Sequence, residues 1–381
     1  MGYPSRERVR RILTHQEADR VPYDAVVTDD ILAMVDAMEL QPDHRAFCVN
    51  GDFCYVTFDG RTDKAQFMEY LPDLPNDADV SCWGVGSIPL KTTEGYLAGH
   101  TYFHPLKDVH APEALDAYPF PKLDEPHRHL HLEEEIREAK KKEYTVVGQM
   151  SETLLETAYL MRGLEQLMLD FCERPAYVEV LFEKLAAQRR FQARRFAEAG
   201  VDVLRIGDDI ATQQGLMLGP RMYRDHIKRL HASIVQAARE VRSDIQVLYH
   251  SDGNLTALLP DLLDIGVTAI NPAQPECMDL RQVKREFGRD LTLWGCCPVQ
   301  SVYANGSRED VLDHIRFVME NLAHDGGLVL QFTNLLVTDE VLENLRGFFE
   351  SFYERGIYRH VPPSQRKGSS YGTVCLRQCA R

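Results

Sequence analysis

Short apolar runs recur along the chain, and longer stretches with a helical repeat of apolar residues separate many of them. A short apolar run bounded by turn-forming residues predicts a buried strand, whereas apolar residues three to four positions apart predict an amphipathic helix. Eight runs predict strands, at Val21–Val27, Phe53–Phe58, Thr145–Gln149, Val201–Ile206, Ile245–Tyr249, Thr268–Asn271, Leu291–Trp294 and Gly327–Phe332. Helices are predicted at Ser5–Leu13, Ile31–Glu39, Leu154–Leu169, Pro175–Glu198, Pro220–Val241 and Arg308–His324.

Strands and helices alternate from residue 144 onward, which indicates parallel β-α units. Eight strands are what a closed (β/α)8 barrel requires. We therefore predict an α/β fold of the TIM-barrel class, preceded by an N-terminal helix. An open doubly wound sheet is the alternative, but the glycine-rich phosphate loop that normally follows its first strand is absent from the sequence.

One long segment, residues 60–143, interrupts this alternation with turn residues, prolines and a predicted β-hairpin around Ile88–Tyr102. We predict that it is an insertion between strands 2 and 3 that covers one end of the barrel. Residues 1–360 would then form a single domain. The tail, 361–381, has no periodicity and is predicted to be loosely ordered.

The strand Ile245–Tyr249 ends abruptly in His250, Ser251, Asp252 and Gly253. Barrel enzymes present their catalytic side chains at the carboxyl ends of the strands. His250 and Asp252 are two positions apart, so on extended chain they would point the same way. The structural alternative is a histidine and a turn that simply close off a strand.

Polar residues follow other predicted strands as well, and a barrel would bring all of them to one mouth. They are Ser151 and Glu152, Asp208 and Asp209, Asn271 and Gln274, Cys296 and Cys297, and Thr333 and Asn334. Adjacent carboxylates such as Asp208 and Asp209 suit acid/base chemistry or cation binding, although Asp209 could instead cap the following turn while Asp208 points into the mouth. Glu152 could equally be the acidic residue that begins a helix.

Composition narrows the function. The chain has 381 residues, 44% of them hydrophobic and 27% charged, with a net charge of -15. The sequence lacks a basic patch, which argues against nucleic acid or an anionic membrane as partner. It also lacks a signal peptide and an apolar run of membrane-spanning length. Nine cysteines without regular CxxC pairs predict reduced thiols in a cytoplasmic protein. We expect a small-molecule substrate and a monomer or homodimer.

Several short motifs occur in order between Ser5 and Tyr358. They are Ser5–Val9, Asp19–Pro22, Tyr118–Pro121, Arg162–Gly163, Pro175, Gly207–Gln213, His250–Asn254, Gly266–Val267, Asn271–Pro272 and Trp294–Gly295. In this order the chain resembles the uroporphyrinogen decarboxylase superfamily, which also contains cobalamin:coenzyme M methyltransferases and corrinoid-dependent demethylation proteins. The resemblance implies a (β/α)8 barrel, in agreement with the strand count.

The motifs also bear on the branch of the superfamily. Decarboxylases in it carry an Arg-Gln-Ala-Gly-Arg stretch that holds substrate carboxylates, where this chain has Val26–Asp30. Carboxylates there would repel a polycarboxylate substrate, which favours the methyltransferase branch. That branch binds zinc with a His-x-Cys pair and a later cysteine. Here His250 and Asp252 occupy the first two positions, and no cysteine lies near Phe332–Asn334.

The leading expectation is corrinoid-linked methyl transfer, of the methylcobamide–thiol or the demethylation type. The corrinoid would be a substrate or be carried by a partner protein. His250, Asp252 and Glu152 would activate the acceptor, through zinc or as acid/base groups, while Asp208 orients the substrate. The candidate substrate-binding residues are Asp30, Asp209, Asn271 and Asn334. Zinc would be held by His250 and Asp252, with Cys297 or Glu152 completing its ligands.

Two alternatives remain open. One is a cofactor-independent decarboxylase of uroporphyrinogen or a related acid, in which Asp29, Asp30 or Asp208 stabilises the cation that forms. The other is a non-catalytic corrinoid- or ligand-binding protein on the same scaffold, as the missing cysteine ligands suggest.

Overall fold

The computed structural model describes residues 3–24, 51–91, 97–332 and 339–355. Its strands, in chain order, are β1 (Tyr23–Asp24), β2 (Phe53–Val56), β3 (Asp79–Val80), β4 (Gly86–Lys91), β5 (Leu97–Phe103), β6 (Thr145–Gln149), β7 (Val203–Gly207), β8 (Ala211–Thr212), β9 (Gly215–Leu216), β10 (Gln246–His250), β11 (Ala269–Ala273), β12 (Thr292–Cys296) and β13 (Leu328–Gln331). Eight of them form one parallel sheet in the order β1-β13-β12-β11-β10-β7-β6-β2.

The two edge strands of this sheet lie side by side, so the sheet is a nearly closed barrel. The amide of Asp52, just before β2, donates to the carbonyl of Tyr23 in β1 at 2.9 Å. The predicted α/β barrel of eight parallel strands is confirmed, and the open doubly wound sheet is wrong.

Helices surround the barrel. They are α1 (Ser5–Leu13), α2 (Leu132–Lys141), α3 (Leu155–Arg162), α4 (Leu164–Glu173), α5 (Pro175–Ala199), α6 (Pro220–His226), α7 (Lys228–Arg239), α8 (Leu259–Asp264), α9 (Leu280–Phe287), α10 (Arg308–Asn321) and α11 (Asp339–Arg355). Short 3-10 turns lie at Lys64–Phe67, Pro112–Asp116, Pro126–Arg128 and Thr256–Leu258, and a π-helical turn at Val299–Tyr303. Among the described helices, none combines the length and apolarity that crossing a membrane requires.

The helix predicted at Leu154–Leu169 is two helices, α3 and α4. Gly163 separates them with a φ of 87°, a left-handed conformation that ends α3 and that glycine adopts without a steric penalty. The predicted helix Ile31–Glu39 and the tail lie outside the described residues.

The amino-terminal half of the barrel interior is apolar. Because side chains alternate between the two faces of a strand, every second residue points inward. The inward residues of this half form one buried cluster that includes Phe53, Val147, Val203, Leu248, Ala269, Trp294 and Val329. Val9, Ile12 and Leu13 of α1 belong to the same cluster and close that end of the barrel. Full burial of each large apolar side chain contributes about 1.5–3 kcal/mol.

The outer faces of the strands pack against the helices in a second, larger apolar cluster. The long helix α5 packs closely against strand β6. It begins with Pro175, which suits the first turn, and ends at Gly200 with a φ of 95°. A Cβ on Gly148 of β6 would lie 2.8 Å from the ring of Phe196, so glycine at this position lets the helix approach the strand.

The segment between β2 and β6 carries an antiparallel sheet in the order β3-β4-β5, whose β4–β5 pair is a hairpin. The insertion contacts the barrel beside the loop that follows β6. The indole of Trp83 stacks on the guanidinium of Arg189, 4.7 Å from the ring centre. That guanidinium in turn donates to the carbonyl of Glu152 at 2.6 Å. The insertion therefore supports one of the predicted site residues.

Candidate active site

The carboxyl-terminal half of the barrel interior is polar. On six strands, the residue two positions after an inward apolar residue is polar. These residues are Tyr55, Gln149, Arg205, His250, Asn271 and Gln331. Since positions two apart share a face, they form a second inward layer directly above the apolar one. Asp24, at the end of β1, joins this layer.

Asp24 is the anionic end of a hydrogen-bonded network in that layer. Its Oδ2 accepts from the hydroxyl of Tyr55 at 2.5 Å, from Nε1 of Trp294 at 2.8 Å and from Nε2 of Gln331 at 2.6 Å. Burial raises the pKa of Asp24 to about 6, although the hydrogen bonds from Tyr55 and Trp294 oppose the shift. The carboxyl group is therefore mostly ionised at neutral pH.

The network continues from Gln331 to the histidine at the mouth. Nδ2 of Asn271 donates to Oε1 of Gln331 at 2.6 Å and to the main-chain carbonyl of Trp294 at 3.4 Å. Oδ1 of Asn271 lies 2.7 Å from Nδ1 of His250. A chain of hydrogen bonds thus runs across the barrel from His250 to Asp24.

This chain fixes the tautomer of His250. A carboxylate and a main-chain carbonyl can only accept, so the NH₂ groups of Gln331 and Asn271 must face Asp24 and Trp294. Oδ1 of Asn271 is then an acceptor, and Nδ1 of His250 must carry a hydrogen. Burial, followed by the charge of Arg205, lowers the pKa of His250 to about 4. The neutral ring therefore presents the lone pair of Nε2.

Two carboxylates lie next to this nitrogen. Asp209, His250 and Asp252 each offer one ligand atom, and the three atoms lie within 4.8 Å of one another. Nε2 of His250 is 4.0 Å from Oδ1 of Asp209, which also accepts from the amide of Asp252 at 2.9 Å. We refer to Asp209, His250 and Asp252 as the carboxylate–histidine group. A nitrogen and two carboxylate oxygens suit a divalent cation.

Glycines allow the chain to converge here. A Cβ on Gly207, which has a φ of 149°, would lie 2.1 Å from the carbonyl oxygen of His250. A Cβ on Gly253, with a φ of 88°, would lie 2.5 Å from the carbonyl oxygen of Thr212. Any other residue at these two positions would push apart the strand ends that carry the carboxylate–histidine group.

A cavity of about 110 Å³ opens beside the group. It is lined by Glu152, Glu156, Arg205, Asp209 and His250, among others. Burial and the neighbouring charge of Asp209 raise the pKa of Glu156 to about 8, and burial also raises that of Glu152. The cavity therefore combines acidic side chains with one arginine.

The structure brings most of the predicted site residues together. Glu152, Asp209 and His250 line the cavity, Asp252 completes the carboxylate–histidine group, and Asn271 bonds to His250. Glu152 has a left-handed φ of 45°, strained for a non-glycine residue.

Asp208 lies elsewhere, and the described contacts do not favour its predicted role in orienting the substrate. It is fully buried. Oδ1 accepts from the amides of Leu154 and Glu156 at 2.8 and 3.0 Å, and Oδ2 accepts from Nε2 of His231 at 3.0 Å. Burial opposes ionisation of Asp208, but these hydrogen bonds outweigh it and lower the pKa. Asp208 thus caps helix α3 from a neighbouring loop, and Asp209 lies at the mouth, which is the reverse of the predicted alternative.

The remaining predicted residues are Cys297, Asp30 and Asn334. Cys297 is buried, and burial raises its pKa well above the usual thiol value, so it is not a ready thiolate ligand. It is absent from the metal-capable group found among the described residues. Asp30 and Asn334 lie outside those residues.

Sequence reasoning missed six residues of this region, Asp24, Tyr55, Gln149, Glu156, Arg205 and Gln331. It looked for polar residues after each strand, whereas five of these lie within strands and Glu156 lies in the first turn of α3. A signal was present for four of the strand residues, because Tyr55, Gln149, Arg205 and Gln331 each follow a buried apolar residue by two positions.

The fold and site define a (β/α)8-barrel protein with a metal-capable group at the mouth. The family model described as Uroporphyrinogen decarboxylase (URO-D) matches residues 100–355. The chain belongs to this family, and the predicted membership is confirmed. A comparison with curated proteins found no match.

Solved structures with a similar fold include a methyltransferase from Methanosarcina mazei. It is 15% identical, with a TM-score of 0.62 over 92% of this chain and 99% of that chain. At this identity the likeness concerns the fold. A 2,3-dimethylmalate lyase is 13% identical, with a TM-score of 0.36 over 96% of this chain and 94% of that one. A putative vitamin-B12 independent methionine synthase from Listeria monocytogenes is 12% identical, with a TM-score of 0.35 over 57% and 67%. These two scores are too low to support any conclusion.

Proposed function

We propose that the protein is an enzyme of corrinoid-linked methyl transfer. Its site would hold a divalent metal ion, and zinc is the proposed metal. The carboxylate–histidine group at the mouth of a URO-D family barrel is the observation that carries this proposal. The corrinoid would be a substrate, free or bound to a partner protein that docks at the mouth.

The residues present fit a metal ion. Zinc is bound by histidine nitrogen and carboxylate oxygen at about 2.0–2.2 Å, and a catalytic zinc has three protein ligands and one open position. His250, Asp209 and Asp252 would supply the three ligands, with a small inward movement from their present separation of up to 4.8 Å. Bound there, zinc would act as a Lewis acid that polarises the oxygen of a methyl ether or lowers the pKa of a thiol acceptor.

The protein's own residues would prepare the site for this chemistry. The hydrogen-bonded chain from Asp24 holds His250 in the tautomer whose Nε2 faces Asp209. Such support is typical of metal-binding histidines, since the partner of the second ring nitrogen fixes the orientation of the ring. Glu152 and Glu156, on one wall of the cavity, would exchange protons with the reacting oxygen or sulfur.

The size and charge of the cavity support methyl transfer over porphyrinogen decarboxylation. Pockets that enclose whole ligands of drug size span about 300–1,000 Å³. The cavity of about 110 Å³ suits a methyl-bearing end of a small molecule better than a tetrapyrrole. Its carboxylates would also repel a substrate with many carboxylate groups.

Metal analysis and a methyl-transfer assay test the proposal together. Protein purified without chelator should contain about one metal ion per chain. With reduced cobalamin and methoxylated aromatic compounds or methylthiols as donors, it should form methylcobalamin, which is followed by its absorbance. His250→Ala should lose the metal and lower the rate by roughly 10²–10⁴-fold. His226→Ala, on the outer helix α6, is the matched control and should change neither.

Three results would count against the proposal. Full activity of His250→Ala would remove the proposed centre. Release of carbon dioxide from uroporphyrinogen, without methyl transfer, would favour the decarboxylase alternative. Absence of both metal and turnover would favour a non-catalytic binding protein.

A further inference from the structure

Arg205 is a charged residue in the barrel interior to which the proposed mechanism assigns no role. It lies on β7, two positions after the inward-facing Val203, so its side chain points into the barrel. It therefore belongs to the polar inward layer. Arg205 lines the same cavity as His250 and Asp209. Its charge is close enough to help lower the pKa of His250.

The donors of Arg205 are not used by the described part of the chain. Its Nε is buried and has no hydrogen-bond partner there. No side chain of the described residues forms a hydrogen bond or an ion pair with its guanidinium, even though Glu152, Glu156 and Asp209 line the same cavity. A buried polar group without a partner costs about 1–3 kcal/mol, so such groups call for an explanation.

Three arginines that are buried, whereas Arg205 is half-buried, behave differently. Arg8 donates to Asp19 and Asp52 and to a main-chain carbonyl. Arg162 donates to Asp170 and to carbonyls of the insertion. Arg189 bonds to Gln192 and to carbonyls of the loop after β6. The fold thus provides partners for the guanidinium groups of these three arginines, whereas no described residue provides one for the guanidinium of Arg205.

We propose that Arg205 binds an anionic group of the substrate, so that the methyl donor or acceptor is a small molecule that carries a carboxylate or a comparable anion. This inference rests on the proposed function, because it assumes that the reaction takes place at the carboxylate–histidine group. A guanidinium presents a planar fork of N–H donors that matches a carboxylate or phosphate.

Charge at the mouth is consistent with an anionic ligand once a metal is bound. A divalent cation would balance the charges of Asp209 and Asp252. The charge of Arg205 then acts on the buried carboxylate of Asp24, whose pKa, raised by burial, it helps to lower, while its N–H donors have no partner among the described residues. An anion held there would sit within the same small cavity as the carboxylate–histidine group, since about 110 Å³ leaves no room for a distant subsite. The bound anion would thus fix the distance between the reacting atom and the metal-capable group.

The test uses small probes on the full-length protein. The protein is loaded with zinc, because the charge argument holds only with a metal bound, and a probe that binds through the metal itself is recognised because it still binds to Arg205→Met. Acetate, inorganic phosphate, neutral acetamide and cationic methylammonium are titrated separately by calorimetry. Acetate or phosphate should bind saturably, and the better of the two identifies the anionic group. Acetamide and methylammonium should not bind.

Two variants assign the binding to Arg205. Arg205→Met keeps most of the side-chain volume without the charge and should weaken binding of the preferred anion by about 10- to 100-fold. Arg205→Lys keeps the charge without the planar fork and should retain part of the affinity, and it serves as the readout if the methionine variant does not fold. Equal binding by wild type and both variants, preference for acetamide or methylammonium, or absence of anion binding would each overturn the assignment.

This experiment is independent of methyl transfer. Anion binding that depends on Arg205, found together with a failed methyl-transfer assay, would leave the subsite in place and remove the proposed reaction. Methyl transfer that is unaffected by Arg205→Met, with anionic donors no better than neutral ones, would keep the reaction and remove the subsite.

Discussion

The two halves of the barrel interior differ sharply although the same strands build both. On β10, Leu248 lies in the apolar half and His250, two residues later, lies in the polar half. The same step occurs from Val203 to Arg205 on β7. Strand geometry sends both residues of each pair inward, so only side-chain chemistry separates the half that stabilises the fold from the half that forms the site.

This comparison indicates how the site tolerates its polar groups. Among the described residues, the apolar half and α1 close the end of the barrel that lies opposite the mouth. Inside, the polar groups satisfy each other along the chain from Asp24 to His250. A buried polar network that is satisfied in this way specifies one arrangement of its members. Among the described residues of this layer, Oδ1 of Asp24 and Nε of Arg205 have no hydrogen-bond partner.

Asp208 should behave like a residue of the half that stabilises the fold. Of the replacements considered, that of Asp208 should lower the free energy of unfolding the most. Asp208→Ala removes the cap of α3 and the partner of buried His231, so the free energy of unfolding should fall by about 3–5 kcal/mol. Adjacent Asp209→Ala should change it by less than about 1 kcal/mol, because Asp209 is partly exposed, while it abolishes metal binding. Urea unfolding and metal analysis of both variants measure the contrast. If the two variants are equally destabilised, the division between them is wrong.

Leu248 and His250 allow the same contrast within one strand. Leu248→Ala should lower the free energy of unfolding by about 2–5 kcal/mol, since it opens a void in the apolar half. The metal content of the protein that stays folded should not change. Leu248→Met is the matched control and should cost less than about 1.5 kcal/mol. Loss of metal in Leu248→Ala at a temperature where it is fully folded would show that the halves are coupled.

The fold could be predicted from the sequence because the eight apolar runs correspond to the eight strands of the barrel. It also placed Glu152, Asp209, His250 and Asp252 at one mouth. It could not separate Asp208 from Asp209, because the difference depends on His231 and on helix α3, both distant in sequence. The inner polar layer was missed for a local reason, since strand ends were searched rather than the positions that share a face with buried residues.

The series of hydrogen bonds from Asp24 to His250 can be interrupted at Asn271, which lies in its middle. Asn271→Ser removes the acceptor for Nδ1 of His250, and the ring should then lose its fixed tautomer and orientation. We expect a 10- to 100-fold loss of zinc affinity, the range for groups that support a metal-binding histidine. Asn271→Asp restores an acceptor and should recover part of the affinity. Competition with a zinc-binding dye measures both variants, and unchanged affinity in Asn271→Ser would show that the chain does not act on His250.

The smallest effect concerns the acidic wall of the cavity and is best seen in chelated protein. The pKa of Glu156 is raised to about 8 in the folded state, against an ordinary value of 4.5. Between pH 6.5 and 8 the folded protein therefore retains a proton that the unfolded chain has released. The free energy of unfolding should fall as pH rises through this window, by at most about 1.4 kcal/mol per pH unit. His250, whose pKa is lowered to about 4 from 6.5, contributes below this window and with the opposite sign.

Urea unfolding of wild type and Glu156→Gln at several pH values separates the two contributions, because the glutamine variant should lose the slope above pH 6.5. Equal slopes in both proteins would mean that Glu156 is ionised at neutral pH, which would make the polar half more strongly acidic than its burial implies.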